Sequence, residues 1–227
     1  MLNSRAIAEI VKCFPNAPEL VKKHMQTRLK WCQYDEIAEY IPDKNSVLDI
    51  GCGFGHFAAY LNHSFPQNSY WGYDPDPEKI AVAKASTLNK NSNIHFWVGD
   101  ILTPHTATFP AEGFTGIVLL DVLYLMPEDI QNRLLEALPR LLSAHGSIII
   151  KTLDTKRKSL RYYSALTQEW IMVHILRRTF SRDKIINPRS QADYTALLQK
   201  HGLQVTLIPL PLNRTPSVLL VGKRNSG

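Results

Sequence analysis

Three glycines at alternate positions, directly after an apolar run, constrain this chain more than any other feature of its sequence. In the stretch SVLDIGCGFGHFAAYL, residues 46–61, the run before the glycines predicts a buried strand and the residues after them predict a helix. Glycine weakens regular structure, so its repeated use here indicates a backbone that turns tightly and is approached closely. We expect Gly51 to make the turn, Gly53 to offer bare backbone to a ligand and Gly55 to let the helix pack on the strand. The spacing favours a nucleotide-type binding loop over a mere tight turn.

Apolar runs rich in Val, Ile, Leu and Phe alternate with helical patterns along the rest of the chain. The predicted strands are at 46–50, 69–74, 94–100, 114–121, 146–154, 203–210 and 217–223, and the predicted helices between them are at 54–63, 77–88, 128–143 and 190–201. This alternation predicts an α/β fold with an open, doubly wound, mostly parallel seven-stranded sheet. The residues between the last two strands, 211–216, are too few for a crossover helix, so we expect the last strand to run antiparallel.

Two segments lie outside this alternation. We predict a helical N-terminal cap over residues 1–45 and a main α/β domain over residues 46–227. Within that domain, residues 152–189 form an insertion between the fifth strand and the last helix. Its apolar and aromatic residues recur at helical spacing, which predicts a lid over the open end of the sheet.

The cysteines and the start of the chain bear on its location. Cys13, Cys32 and Cys52 are an odd set without CxxC spacing, so they imply neither a disulfide framework nor a zinc site. Glu9 interrupts the apolar pattern at the start, where no small-residue cleavage site follows, which is not typical of a secretory signal. No apolar run approaches the roughly 20 residues that span a bilayer. We therefore expect a cytoplasmic protein.

An acidic residue stands at the end of each of the first three predicted strands: Asp49, Asp74 and Asp100. An ionised carboxylate only accepts hydrogen bonds, so Asp74 can bind both hydroxyls of a ribose. Asp100 can meet the amino group of an adenine while Ile101 covers its ring. Each acid alone is more typical of a cap or a turn, but three at neighbouring strand ends favour one nucleoside site.

Four segments, VLDIGCGFG, YDPDPEKI, VGDI and LLDVLYLMP, together resemble the ordered motifs of class I S-adenosylmethionine-dependent methyltransferases. The resemblance covers about residues 45–151, and the later strands fit the closing strand pair of that family. It implies a Rossmann-like methyltransferase fold over 46–227 with S-adenosyl-L-methionine as the cofactor. The cofactor-binding residues that it implies are Asp49, Gly51, Gly53, Gly55, Asp74, Pro75, Asp100, Ile101 and Asp121, of which the last lies next to the substrate.

Charge separates this resemblance from a nicotinamide enzyme. The dinucleotide fingerprint is G-x-G-x-x-G, whose backbone donors bind a pyrophosphate. This chain has G-x-G-x-G with Asp49 before it and Asp121 after the fourth strand. S-adenosylmethionine has no phosphate but carries an ammonium and a sulfonium, so these acids suit it and would repel a pyrophosphate.

The sequence shows no His–Asp or Cys–His pair at motif spacing that would serve as a general base. Many members of the resembled family carry His where this chain has Tyr124. Methyl transfer needs a base only when the acceptor must lose a proton, so we expect catalysis by proximity and orientation. Tyr124 either hydrogen-bonds the acceptor or is a packed tyrosine at a strand end. His56 either faces the methionine end of the cofactor or lies on a helix surface.

The helix around HMQTRLKW admits two interpretations. In the resembled superfamily an N-terminal helix often covers the cofactor, and Arg28 would then bind the cofactor's carboxylate. Alternatively, an amphipathic helix packs Leu29 and Trp31 on the sheet and leaves Arg28 in solvent.

The basic character of the chain is concentrated in one segment. The net charge is −4 for residues 1–150, +7 for 151–189 and +3 for 190–227. Solvated charge on a lid, an acidic carrier protein, a membrane surface or phosphorylated substrate, and RNA all fit this pattern. RNA is the least expected partner, because the sequence shows neither a base-stacking module nor an added binding domain.

Aromatic residues of the insertion indicate where an acceptor would bind. Tyr163 and Trp170 lie at helical spacing and are expected to line an apolar pocket beside Tyr124. We therefore predict methyl transfer to a small apolar or aromatic acceptor, including a lipid-like or carrier-tethered one, in the first place on oxygen. The alternatives are an RNA methyltransferase that uses the basic segment and a non-catalytic cofactor-binding scaffold.

Overall fold

A seven-stranded sheet runs through the described part of the protein. The computed structural model describes residues 2–100, 102, 109–156, 160–174, 186–211 and 216–224. The strands are β1 (Ser46–Ile50), β2 (Ser69–Asp74), β3 (Ile94–Val98), β4 (Phe114–Leu120), β5 (Leu142–Leu153), β6 (Leu203–Pro209) and β7 (Ser217–Arg224). They lie in the order β3-β2-β1-β4-β5-β7-β6, with β1 to β5 parallel and β7 antiparallel to both neighbours. The predicted fold class and the antiparallel last strand are confirmed.

Helices cover the sheet, close to the predicted positions. They are α1 (Ser4–Val11), α2 (Glu19–Trp31), α3 (Tyr34–Glu39), α4 (His56–Ser64), α5 (Pro77–Lys84), α6 (Glu128–Ala137), α7 (Leu160–His174) and α8 (Gln191–Lys200). Short 3₁₀ turns at Thr87–Lys90 and Leu138–Leu141 occupy the ends of the segments predicted as longer helices.

Side-chain caps fix where two of these helices begin. Asp76 precedes α5 and accepts hydrogen bonds from the backbone N–H groups of Glu78 and Lys79. Ser190 and Asp193 form a reciprocal capping box at the start of α8, in which each side chain accepts from the other's backbone N–H. These local signals are readable in the sequence because both partners lie within one helical turn.

Apolar residues bury both faces of the sheet. On one face, Met25 of α2 and Phe57 of α4 share a cluster with Val118 of β4. On the other face, Leu119 of β4 packs with Leu135 of α6. The near-continuous apolar strands predicted this two-sided burial. The predicted boundary between a cap and a main domain stays a prediction. In the structure, the N-terminal helices share one hydrophobic core with α4.

The predicted insertion at 152–189 contains α7. Residues 157–159 and 175–185, which carry much of its basic charge, lie outside the described residues, so its proposed acidic or membrane partners stay predictions. Among the described residues, no helix has the length and hydropathy needed to cross a membrane.

Candidate functional site

A cavity of about 740 Å³ opens at the carboxyl ends of the central parallel strands. It lies where β1 adjoins β4 and the chain order of the sheet reverses, which is the ligand position of open α/β sheets. The floor of the cavity consists of the ends of β1, β2, β4 and β5. Residues of α2, in the N-terminal part of the chain, also line it. The glycine loop forms part of its wall.

Two of the three glycines allow close packing. Gly51 has φ +81°, and a Cβ placed there would lie 2.4 Å from Cγ1 of Val122. Gly55 has φ +78°, and a Cβ there would lie 2.9 Å from the ring of Phe96. Both positions therefore need glycine for backbone conformation and for space. This is the turn and the close helix packing expected from their spacing.

Gly53 is less crowded than the other two glycines. Its φ is +56°, and the nearest atom to a Cβ built there is Cε1 of His56, at 3.6 Å. Gly53 lines the cavity, so its backbone is bare toward whatever occupies it. Its N–H donates a 2.8 Å hydrogen bond to Oδ2 of Asp74, which joins the loop to the end of β2.

Asp74 is held in a fixed orientation at the cavity. It is buried, and its second oxygen, Oδ1, accepts a 2.9 Å hydrogen bond from the backbone N–H of Asp76. Each oxygen of a carboxylate has two lone pairs, so further acceptor capacity remains for a ligand's hydroxyls. Burial raises the pKa of Asp74, and the charge of Lys79 opposes that rise.

Asp49 is a buried carboxyl beneath the glycine loop. It is 2% exposed and accepts a hydrogen bond from the hydroxyl of Tyr70. Burial raises the pKa of Asp49 to about 7; the Tyr70 hydrogen bond opposes the rise and the charge of Asp74 adds to it. Its charge is therefore costly until a cation approaches.

The residues predicted to meet an adenine are only partly described. Asp100 and Pro75 line the cavity, and Oδ1 of Asp100 accepts a 2.9 Å hydrogen bond from the backbone N–H of Leu102. Ile101 lies outside the described residues.

Asp121, at the end of β4, joins two cations across the cavity. Nζ of Lys151 lies 2.8 and 2.7 Å from its two oxygens, and Nη1 of Arg28 lies 3.0 Å from Oδ2. Burial alone would raise the pKa of Asp121, but Lys151 and Arg28 outweigh burial and lower it. The backbone of Asp121 has φ +61°, a left-handed conformation that Asp tolerates better than most residues. We call Arg28, Asp121 and Lys151 the ion triad.

The ion triad is at odds with the interpretation that leaves Arg28 in solvent, whereas binding of the cofactor's carboxylate by Arg28, which lines the cavity, stays a prediction. Leu29 is buried as expected of a packing helix, but Trp31 is 37% exposed. The Arg28 side chain is only 25% exposed and pairs with Asp121 instead of standing in solvent. Sequence reasoning missed Lys151, although a lysine within the apolar run SIIIKTL was a signal for a buried charge.

The opposite wall of the cavity is apolar. Tyr124 is 3% exposed and packs in a cluster with Leu125, Leu153 and Tyr162. Of these four residues, Tyr124, Leu125 and Leu153 line the cavity. Helix α7 contributes Ala165 to this wall.

The two aromatic residues of α7 that were predicted for an acceptor pocket do not line the cavity. Tyr163 and Trp170 are 55% and 48% exposed and lie outside the set of cavity-lining residues. The arrangement brings Tyr124 to the cavity without them.

His56 lies at the glycine loop, on the cavity wall. Within the described residues, its buried Nδ1 has no hydrogen-bond partner. Burial and the nearby charge of Arg28 hold the pKa of His56 well below its usual range, so the imidazole is neutral. Tyr34 of α3 lies beside His56, with a ring-centroid distance of 6.2 Å.

Comparison with known proteins places this site in a family context. A family model described as "Methyltransferase domain" matches residues 21–208 of the chain. Over 72 residues the chain is 35% identical to the release factor glutamine methyltransferase of Koribacter versatilis, a match that covers 32% of this chain and 25% of that protein. The chain therefore spans about a quarter of the length of that curated relative.

Solved structures share the fold. An O-methyltransferase family protein from Burkholderia thailandensis matches with a TM-score of 0.66 at 17% identity, covering 89% of this chain and 57% of that one. A SAM-dependent methyltransferase from Aquifex aeolicus matches with a TM-score of 0.58 at 14% identity, covering 96% of this chain and 97% of that one. At such identities the likeness establishes the fold.

Proposed function

The chain belongs to the family of methyltransferase domains, which confirms the resemblance seen in its motifs, and on that premise we propose that it transfers a methyl group from S-adenosylmethionine to a small acceptor with an apolar or aromatic body. The observation that carries this proposal is the pairing of a bare glycine at Gly53 with the buried carboxyls of Asp49 and Asp74 in one cavity. The class of acceptor and the choice of oxygen as the methylated atom are both part of this proposal.

The residues present fit this cofactor. Gly53 leaves room where any side chain would intrude, and Asp74 keeps acceptor capacity for the two ribose hydroxyls. Asp49 is a buried carboxyl whose ionised form a cation would stabilise. S-adenosylmethionine supplies an activated methyl group on a sulfonium. The ionised form of Asp49 would repel a pyrophosphate at the glycine loop.

The chain's own contribution to the reaction is orientation and exclusion of water. Leu125, Leu153 and Ala165 form an apolar wall opposite the carboxyls, which holds an apolar or aromatic acceptor and keeps the cavity dry. Tyr124 stands at this wall, and we propose that its hydroxyl orients the acceptor. Proximity of this kind accounts for a large share of the rate of a two-substrate reaction.

We expect Tyr124→Phe to lower turnover about two- to tenfold while the fold is retained, because one hydrogen bond to the acceptor is lost. Release of S-adenosylhomocysteine is measured with whichever acceptor a screen of substituted phenols and benzoates identifies, and circular dichroism checks the fold. Wild-type turnover in the variant would leave Tyr124 with a packing role alone.

Titration calorimetry tests the cofactor assignment. The wild-type protein is expected to bind S-adenosylhomocysteine and to give no heat with NAD⁺. Asp74→Ala is expected to weaken binding by about 1–3 kcal/mol, because charge-assisted hydrogen bonds to the ribose are lost. Asp129→Ala removes the same charge from an exposed position of α6 and serves as the matched control. An unchanged dissociation constant in a folded Asp74→Ala variant contradicts the ribose role.

A further inference from the structure

Lys151 is an unusual residue for its position. It lies near the end of β5, directly after three isoleucines, and its side chain is only 7% exposed. A buried ammonium is costly unless it is paired, and Asp121 is the partner that stabilises it here. Both contacts of Nζ go to Asp121, and in the described part of the chain no other acceptor contacts this nitrogen. An ammonium has three N–H donors, so Lys151 keeps capacity toward the cavity that it lines.

The ion triad carries a surplus positive charge. Asp121 has one negative charge, and it faces two cations, Lys151 and Arg28. Arg28 also lowers the pKa of Asp49, but in the proposed function the cofactor's cation matches the charge of Asp49. The cofactor also carries a carboxylate, which Arg28 is expected to bind, so the cation left to attract an anionic acceptor is Lys151, with its remaining N–H donor at the cavity.

The ammonium of Lys151 adjoins the apolar wall on which the acceptor would pack. Tyr124, Leu153 and Lys151 line the same cavity, and Leu153 follows Lys151 by two residues on β5, so the two side chains lie on the same face of that strand. A ligand that fills this place needs an apolar body and a negatively charged end.

Two titratable groups of the cavity, Asp121 and His56, are poor proton acceptors. The oxygens of Asp121 are bound to Lys151 and Arg28, and its pKa is lowered, which makes it a poor base. The pKa of His56 is also held well below its usual range. A phenol or acid that enters as its anion needs no proton acceptor at all.

We propose that the acceptor is an oxyanion, a carboxylate or an acidic phenolate on an apolar or aromatic body, and that Lys151 binds its reacting oxygen. This inference rests on the proposed methyl transfer and names the class of its substrate. The oxyanion donates an electron pair to the methyl carbon, a C–O bond forms, the C–S bond breaks and its pair stays on sulfur. No proton is transferred, and an anion and a sulfonium become two neutral groups, which a dry cavity favours.

Calorimetry with matched probes tests the inference. Benzoate and benzamide have the same size and shape but differ in charge, and each is titrated into protein saturated with S-adenosylhomocysteine. We expect benzoate to bind at least about tenfold more tightly than benzamide, the scale of one charge-assisted hydrogen bond. Lys151→Met is expected to abolish this preference and Lys151→Arg to retain it. Lys223→Met, which removes a lysine from the exposed end of β7, is expected to leave the preference unchanged.

A spectroscopic probe gives a readout that a structural role of Lys151 would not change. The anion of 4-nitrophenol absorbs visible light and the neutral form does not. At a pH where the free probe is half ionised, binding to the wild-type protein is expected to raise the phenolate absorbance, and binding to Lys151→Met is not. If that variant does not fold, the two wild-type measurements still decide the question.

The outcomes separate this inference from the function on which it rests. Equal affinities of the wild-type protein for benzoate and benzamide, with S-adenosylhomocysteine bound, overturn the oxyanion acceptor alone. A Lys151→Met variant that binds S-adenosylhomocysteine more weakly but keeps the benzoate preference assigns Lys151 to the cofactor and also overturns it. Failure of the wild-type protein to bind S-adenosylhomocysteine overturns the proposed function and this inference together.

Discussion

Gly51→Ala is expected to destabilise the fold by about 2–5 kcal/mol and to abolish binding of S-adenosylhomocysteine. Two costs add at this position. The left-handed backbone at φ +81° costs a residue with a Cβ about 1–2 kcal/mol. A methyl group 2.4 Å from Cγ1 of Val122 forces the glycine loop or the segment after β4 to move, at about 1–3 kcal/mol. Movement of this loop displaces the backbone that the cofactor is proposed to contact.

A second glycine of the chain provides the control for Gly51→Ala. Gly202 has the same φ, +81°, but a Cβ built there has no atom within 4 Å. Gly202→Ala is therefore expected to lose only the conformational cost and to bind the cofactor normally. Urea unfolding and calorimetry on both variants separate the steric cost from the backbone cost. Equal losses of stability in the two variants would show that the contact with Val122 is not limiting.

The sequence was sufficient for the parts of this fold that depend on local chemistry. The order strand, glycine turn, helix follows from the apolar run and the glycines directly after it. The cap at Asp76 likewise involves partners only two and three positions away. The direction of β7 also follows locally, because residues 211–216 leave no room for a crossover.

The part of the site that faces the proposed acceptor depends on contacts that no local pattern encodes. Asp121 and Arg28 are 93 positions apart in the chain, and Asp121 and Lys151 are 30 apart. The sequence marked Asp121 as an acid near the substrate and Arg28 as a candidate for the cofactor, but it could not show that they pair. The exposure of Tyr163 and Trp170 has the same origin, since helical spacing identifies an apolar face without saying what that face contacts.

The affinity for S-adenosylmethionine is expected to rise up to about tenfold for each pH unit between pH 5 and 7 and then to level off. Asp49, with its pKa near 7, is mostly protonated below that value and offers no charge to the cofactor's cation. Binding of the cation favours the ionised carboxylate, so the complex releases a proton wherever Asp49 is still protonated in the free protein. The affinity for the cofactor therefore falls as the pH is lowered.

The stability of the free protein is expected to change in the opposite direction across the same range. The pKa of Asp49 is raised in the fold from its ordinary value of 3.8 to about 7, so the folded protein keeps a proton that the unfolded chain has lost. The stabilisation that this group provides is complete below pH 3.8 and is lost as the pH rises through about 7. Cofactor binding and folding are thus coupled to the same proton with opposite signs.

Two variants assign this pH dependence to Asp49. Asp49→Asn cannot ionise, so its affinity is expected to be low and independent of pH between 5 and 8. Tyr70→Phe removes the hydrogen bond that holds the pKa of Asp49 down, so the pH at which affinity levels off is expected to move upward. Calorimetry in buffers of different ionisation heat counts the protons released on binding. A wild-type profile that is flat from pH 5 to 7, or one that Asp49→Asn reproduces, would place the linked proton on another group and remove Asp49 from the cofactor site.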